Sequence, residues 1–340
     1  MENAPRIGIT RDLLTSSGKP SFGEGPLAAL GDLPWEWVED DVTEITPDIA
    51  ARYDALCVNL PRVTAASVAR ADCRLRIVAR HGVGYDSVDV AALTRAGIVL
   101  TNTPVAVRRP VATAAITYVL ALAQKLRVKD RLTRAGRWPT RTDHMGQGLT
   151  GKVLGIVGAG SIGLETLRLA RVFDMTLLAA DPYADAASVA AAGAELVPLD
   201  TLLAGADFVV LTCLLTEHTR HLIGAAQLAR MKPGAYLINV ARGPVVDETA
   251  LIAALQAGRI AGAGLDVFEQ EPVDPASPLL TMENTIVTPH ALCWTDECFN
   301  GIATSALSDI AAAMAGRQPR FAVNREVLGH ARVTAWLTGA

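Results

Sequence analysis

The stretch GIVGAGSIGLETL, residues 155–167, decides how the rest of the chain reads. A buried-strand pattern, VLGIV (153–157), ends on a glycine-rich turn that opens directly into a helical pattern. Gly158, Gly160 and Gly163 have G-x-G-x-x-G spacing. In such a turn the first glycine permits the sharp bend and the second lets a pyrophosphate approach the backbone. The third lets helix and strand pack closely. The helix start adds free N–H groups and partial positive charge for phosphates. Asp181 closes the next strand-like run, MTLLAA (175–180), 18 residues after Gly163. A carboxylate there accepts hydrogen bonds from ribose hydroxyls and repels a 2′-phosphate. No arginine follows it, so turn and acid together imply NAD in preference to NADP.

Working outward, strand-like and helical runs alternate along nearly the whole chain. RIGIT (6–10), ALCVN (55–59), LRIVAR (75–80) and IVLTNT (98–103) read as buried strands, with helices predicted at 64–71 and 87–97. A long helix is predicted from about Pro110 to Lys129. Six strands follow, VLGIV, MTLLAA, DFVVLT (207–212), AYLINV (235–240), AGAGLDV (261–267) and TIVT (285–288). Helices fit at 161–173, 184–192, 224–230 and 247–257 between them. Alternation of this kind implies parallel sheets with right-handed crossovers. The fold class is α/β, with two Rossmann-like doubly wound parallel-sheet domains. The last helix, about 297–315, has no strand left to serve and is expected to return to the first domain. That domain is then discontinuous, residues 1–103 with 297–340, around a dinucleotide-binding domain of 104–296.

Composition narrows the class. Half the chain is hydrophobic and 19% is charged, the balance of a globular protein. A net charge of −4 gives no basic footprint for nucleic acid. Five scattered cysteines lack disulfide or metal-ligand spacing, so no metal is expected and the thiols read as reduced. There is no signal-like N-terminus and no apolar run near the ~20 residues of a membrane helix. The expected location is the cytoplasm.

Three further segments lie at strand C-termini, where an open α/β sheet binds its ligands. They are NVARGPVVDE (239–248), GLDVFEQEP (264–272) and VTPHALCW (287–294). His290 alone is open to several readings: a nucleophile pair with Cys293, a metal ligand, or a proton donor. The three segments together bring an arginine, an acidic residue and a histidine to one crevice. Hydride transfer to a 2-keto acid needs those types. A guanidinium fork holds the carboxylate and polarises the carbonyl. An imidazole protonates the oxygen near neutral pH, and a carboxylate beside it holds its orientation. Both Glu269 and Glu271 are candidates for that carboxylate.

The succession LTGKVLGIVGAGSIG, TRHLI, MKPGAYLINVARGPVVDETAL, GAGLDVFEQEP and TPH resembles the D-isomer-specific 2-hydroxyacid dehydrogenase family over nearly the whole chain. The resemblance implies that Arg242 binds substrate, Glu271 pairs with the histidine and His290 is the acid/base. It places Gly158, Gly160, Ser161, Ile162 and Gly163 at the pyrophosphate and Asp181 at the ribose. Cys213, Leu214 and Thr219 fall on the adenosine side, and Val240, Ala241 and Asp266 on the nicotinamide side. RHGVGYDSVD (80–89) matches the substrate loop, with the backbone of Val83 and Gly84 receiving the carboxylate. His81 and Trp294 join the substrate-binding set. Trp294 and Cys293 stand where relatives have small residues. Leu214 stands where many have proline, and Arg108 and Arg109 are unusual beside the helix start. NAD as cofactor, a small 2-keto or 2-hydroxy acid as substrate and a homodimer seated on the 110–129 helix are the implied partners. A phosphite-type dehydrogenase on the same trio and a non-catalytic NAD-sensing scaffold are the alternatives.

Overall fold

Five short strands begin the chain in the computed structural model, which describes residues 4–39 and 41–338. They are β1 (Ile7–Ile9), β2 (Trp35–Trp37), β3 (Ala55–Val58), β4 (Ile77–Arg80) and β5 (Val99–Thr101), with α1 (Pro47–Arg52) and α2 (Val90–Arg95) between them. There follow α3 (Arg108–Ala123), α4 (Leu126–Arg134), β6 (Val153–Val157), α5 (Ser161–Ala170), β7 (Thr176–Ala180), α6 (Ala186–Ala191), β8 (Glu195–Leu196) and α7 (Leu199–Gly205). Then come β9 (Phe208–Leu211), α8 (Ala225–Arg230), β10 (Tyr236–Asn239), α9 (Glu248–Gln256), β11 (Gly262–Leu265) and β12 (Thr285–Val287). The chain closes with α10 (Asp296–Met314) and α11 (Ala331–Thr338). One compact unit runs to Val107 and resumes at Trp294; the other is Arg108–Cys293.

In the first unit the strand order is β2-β1-β3-β4-β5, all parallel. Period-two alternation sends β3 side chains to opposite faces. Ala55 and Cys57 pack with Phe299, Leu307 and Ile310 of α10, whereas Leu56 and Val58 pack with Ile49, Tyr53 and Leu93. The order reverses between β1 and β3, so the carboxyl ends of those strands open a ligand crevice.

The second unit has the order β12-β11-β10-β9-β6-β7-β8, again all parallel. Leu154 and Ile156 face Val119 and Leu122 of α3, while Val157 faces Leu202 and Leu203 of α7. The sheet reverses between β6 and β9, beside the glycine turn. Helices start on short polar caps: Asp247 Oδ1 accepts from Ala250 N at 2.9 Å, and Thr295 Oγ1 from Cys298 N at 3.2 Å. Two parallel doubly wound sheets are the α/β class implied by the alternating runs.

Four local differences have physical causes. The helix predicted at 64–71 is a 3₁₀ turn over Ala66–Val68. Thr64 and Ser67 bond each other's backbone amides there, at 2.9 and 3.4 Å, and so compete with helical bonding. The helix predicted at 110–129 is broken. Lys125 is left-handed (φ 51°), Ala123 O is taken by Gln147 N at 2.8 Å, and α3 and α4 meet at 59°. Each sheet also has an extra short edge strand, β2 and β8, neither of them fully buried and so lacking the continuous apolar run that marks the other strands. No single helix among the described residues is long and apolar enough to cross a membrane.

Candidate active site

In the second unit the glycine turn is built by close approach. Gly158 has φ +96°, and a Cβ there would lie 2.5 Å from the backbone of Cys213. A Cβ on Gly163 would lie 2.2 Å from Gly158 O, whereas one on Gly160 would meet nothing within 4 Å. The open side of the turn is therefore at Gly160, the N-cap of α5, with Ser161 and Ile162 as its first helical residues. That is a cradle for a pyrophosphate. Asp181 braces the turn: Oδ2 accepts from Ala159 N and Oδ1 from Tyr183 N, both at 2.9 Å. Each oxygen keeps a lone pair for a ribose hydroxyl. Burial pushes the Cys213 thiol up to about 11, so it lies against the turn as a neutral group. Thr219 ties its loop, with Oγ1 donating to Leu214 O at 2.6 Å and accepting from Thr216 N at 2.7 Å. The Leu214 side chain itself is exposed. These residues fit a dinucleotide.

The catalytic candidates converge at the ends of β10, β11 and β12. His290 Nδ1 and Glu271 Oε2 are 2.8 Å apart, and Phe268 N donates to Glu271 Oε1 at 3.0 Å. Burial raises the Glu271 pKa, but the His290 hydrogen bond and charge, the Phe268 amide and Arg242 outweigh it and hold the carboxyl below its ordinary range. Glu269 is engaged elsewhere, with His221 Nε2 and the Glu248 amide. Of the two acidic candidates, only Glu271 bonds His290. Among the described residues the imidazole's Nε2 has no partner, which leaves it available to a substrate oxygen.

Arg242 follows β10 after Val240 and the buried Ala241, and its Nη1 donates to Ala241 O at 2.8 Å. Asn239, which sequence reading did not single out, clamps this turn. Its Oδ1 accepts from Ala241 N and its Nδ2 donates to Arg242 O, both at 3.0 Å. Its position at the strand's carboxyl end was the available signal.

Asp266 is 5% exposed, and its Oδ1 accepts from Thr288 Oγ1 at 2.5 Å, Ala291 N at 3.0 Å and Leu292 N at 3.1 Å. Burial pushes its carboxyl above the ordinary range against those bonds. Thr288 Oγ1 also lies 2.5 Å from Tyr118 Oη. This buried chain fixes residues 288–292, where His290 adopts φ +54°, a conformation a non-glycine residue holds only when its surroundings over-determine it. Tyr118 and Thr288 had no sequence signal, because the contact joins residues 170 apart. Arg109 is paired with Glu165 at 2.8 Å and holds that carboxyl low; Arg108 is exposed.

In the first unit the loop after β4 carries His81, Val83 and Gly84. Asn102 Nδ2 donates to Val83 O at 2.8 Å, and the Val83 and Gly84 amides have no acceptor among the described residues. The His81 ring is 1% exposed, 6.0 Å from the Phe22 ring and 5.1 Å from the Phe299 ring. Trp294 is half exposed and meets Phe299 edge-on at 4.9 Å. Burial, helped by Arg80, pushes the His81 pKa down to about 3, against ~6.5 in an unfolded chain. Between those values the unfolded chain binds more protons, so this group's stabilisation is lost as pH falls below ~6.5. Urea unfolding at pH 7.5, 6 and 5 is expected to show a slope of up to ~1.4 kcal/mol per pH unit from this residue. His81→Leu should flatten that slope, and an unchanged slope would refute the assignment.

The chain matches the family model "D-isomer specific 2-hydroxyacid dehydrogenase, NAD binding domain" over residues 116–291. It is 42% identical over 328 residues to a glyoxylate reductase of Korarchaeum cryptofilum, covering 95% of this chain and 97% of that one. A glyoxylate reductase structure from Paecilomyes thermophila superposes with a TM-score of 0.82 at 28% identity, covering 95% and 99% of the two chains. A D-lactate dehydrogenase structure from Aquifex aeolicus, complexed with NAD and lactic acid, gives 0.78 at 26% identity, covering 90% and 94%.

Proposed function

Since the chain belongs to the D-isomer-specific 2-hydroxyacid dehydrogenase family, we propose that it reduces a small 2-keto acid to the D-2-hydroxy acid with His290 as the acid. The family makes it an NAD-dependent oxidoreductase acting on CH–OH groups. The observation that carries the proposal is the 2.8 Å His290–Glu271 pair at a strand end next to that of Arg242.

The glycine turn and Asp181 would hold NADH, which when bound would supply the hydride for the keto carbon. Arg242 receives the substrate carboxylate in its fork and draws electron density toward the carbonyl oxygen. His290 Nε2 gives its proton to that oxygen, and Glu271 stabilises the imidazolium before transfer. The carbonyl becomes a hydroxyl and the imidazole is left neutral. Run in reverse, the same nitrogen takes the hydroxyl proton. In the first unit, Val83 and Gly84, whose amides have no acceptor among the described residues, and the half-exposed Trp294 are the proposed substrate-binding residues, whereas His81 is buried between Phe22 and Phe299 and would support that loop from behind. Glyoxylate is the leading substrate, from the name of the 42%-identical relative. Neither the phosphite-type reading nor the NAD-sensing scaffold is favoured by these relatives.

A screen of NADH oxidation with glyoxylate, hydroxypyruvate and pyruvate tests the reading, with NADPH in parallel. Turnover of ~1 s⁻¹ or faster with at least one acid, and a clear preference for NADH, is the expected result. Turnover far below that with all three overturns it. We further propose a homodimer; most of the 110–123 part of its expected 110–129 seat is buried in α3, so the seat moves to the 126–145 segment, where Leu126, Trp138 and Met145 are exposed. Sedimentation velocity should give twice the chain mass, and a monomer at ~10 μM removes that part.

A further inference from the structure

The first unit has a second charged feature, at the opposite end of its strands from His81 and Val83. Asp54 and Arg76 lead into β3 and β4, and beside them opens a cavity of about 570 Å³. Among the described residues, Arg74, Arg76 and Arg332 line it against a single carboxylate, Asp54, which leaves two positive charges in excess. Asp54 is already committed, with Oδ2 accepting from Arg74 at 2.8 Å and from Arg6 N at 2.9 Å. Arg332 is fixed by the carbonyls of Ala96 at 3.1 Å and Cys73 at 2.7 Å. Arg76, half-buried, has no side-chain partner among the described residues. Trp336 also lines the cavity, and its indole N–H is buried without an acceptor among the described residues.

Among the described residues, a hollow that gathers three guanidinium groups and an orphaned N–H offers donors in excess over its one carboxylate, which is already paired with Arg74. Like charges repel more strongly where solvent is partly excluded, so the arrangement is costly when empty. The end of α10 at Met314 adds carbonyls worth roughly half a negative charge, which does not balance two cations. Guanidinium forks match the planar or tetrahedral oxygens of carboxylates and phosphates. In a parallel sheet, substrate binds at the carboxyl ends of the strands; this cavity is at the amino ends.

We propose that the cavity binds a small, multiply charged oxyanion, a phosphate monoester or a polycarboxylate, held by Arg76 with Arg74 and Arg332 flanking it and the Trp336 N–H as a further donor. The site is separate from that of the keto acid, and its occupant stabilises the first unit by mass action.

The test is thermal unfolding and tryptophan fluorescence of the full chain with glycerol 2-phosphate or citrate. Each is matched in ionic strength with chloride, and saturating NADH fills the glycine turn. Arg76→Gln and Arg76→Glu are the test variants, because the Arg76 side chain holds nothing else in place. Expected is a rise in Tm of at least ~2 °C in the wild type, with at least tenfold weaker binding in Arg76→Gln and none in Arg76→Glu. Keto-acid turnover should be unchanged in both. The fluorescence change should vanish in Trp336→Phe. Whichever anion binds tighter identifies the ligand chemistry, and either supports the site. No rise beyond chloride with either anion overturns the proposal, as does a rise that is equal in both Arg76 variants.

Discussion

Replacing His290 with alanine is expected to lower kcat at least ~10²-fold, the scale of a lost acid/base, while leaving NADH affinity within about twofold. The glycine turn and Asp181 do not touch the imidazole, so cofactor binding has no reason to change. What disappears is the group that donates to the carbonyl oxygen. Glu271, held low chiefly because the imidazole's hydrogen bond and charge overcome the effect of its burial, then loses its partner. Removing Glu271 as well should add little, because two residues acting as one unit are not additive. The double variant His290→Ala/Glu271→Gln is therefore expected within about threefold of His290→Ala, where independent effects would multiply. Steady-state kinetics with glyoxylate and fluorescence titration with NADH give both numbers. Turnover within about fivefold of wild type in His290→Ala would remove proton transfer from this residue.

Much of this geometry is local in sequence, and that part was legible. Gly158, Gly160 and Gly163 declare strand, turn and helix within ten residues, because each answers a backbone requirement of one short segment. Asp181 was legible for the same reason, as the last residue before the next turn. The choice between Glu269 and Glu271 was not legible in spacing alone, since both follow one strand end; the family resemblance selected Glu271, and the structure pairs that residue with His290. That choice is decided by partners elsewhere in the chain, His221 and Glu248 for the first and His290 for the second. The Tyr118–Thr288–Asp266 chain is further out of reach, because a tyrosine on a long apolar helix reads as core and only the fold brings it to a threonine 170 residues on. Breaks in regular structure were hidden too. Lys125 ends α3 because Gln147 captures the Ala123 carbonyl, a competition invisible to periodicity.

Gly243, which opens the 3₁₀ turn after Arg242, shows how a residue without a side chain can govern the site. A Cβ at this position would lie 1.8 Å from both the carbonyl carbon and oxygen of Phe268 and 2.4 Å from Glu269 N. All three are backbone atoms and cannot rotate away. Gly243→Ala must therefore push the segment after Arg242 away from the one that leads to Glu271. Asn239 holds Arg242 on one side and the Phe268 amide holds Glu271 on the other, so the displacement spreads into both. The expected cost is at least ~2 kcal/mol of stability, at or beyond the usual range for overpacking, and a fall in kcat/KM of more than ~10²-fold, because positioning errors near 1 Å carry that penalty. Gly258→Ala is the control. Its φ of +63° also disfavours a side chain, yet nothing lies within 4 Å of the added Cβ. It should cost about 1 kcal/mol and leave kcat/KM unchanged. Urea unfolding and glyoxylate kinetics on the two variants separate local backbone strain from collision. If Gly243→Ala matches Gly258→Ala in both measurements, the close approach of the two active-site segments is not a feature of the folded protein.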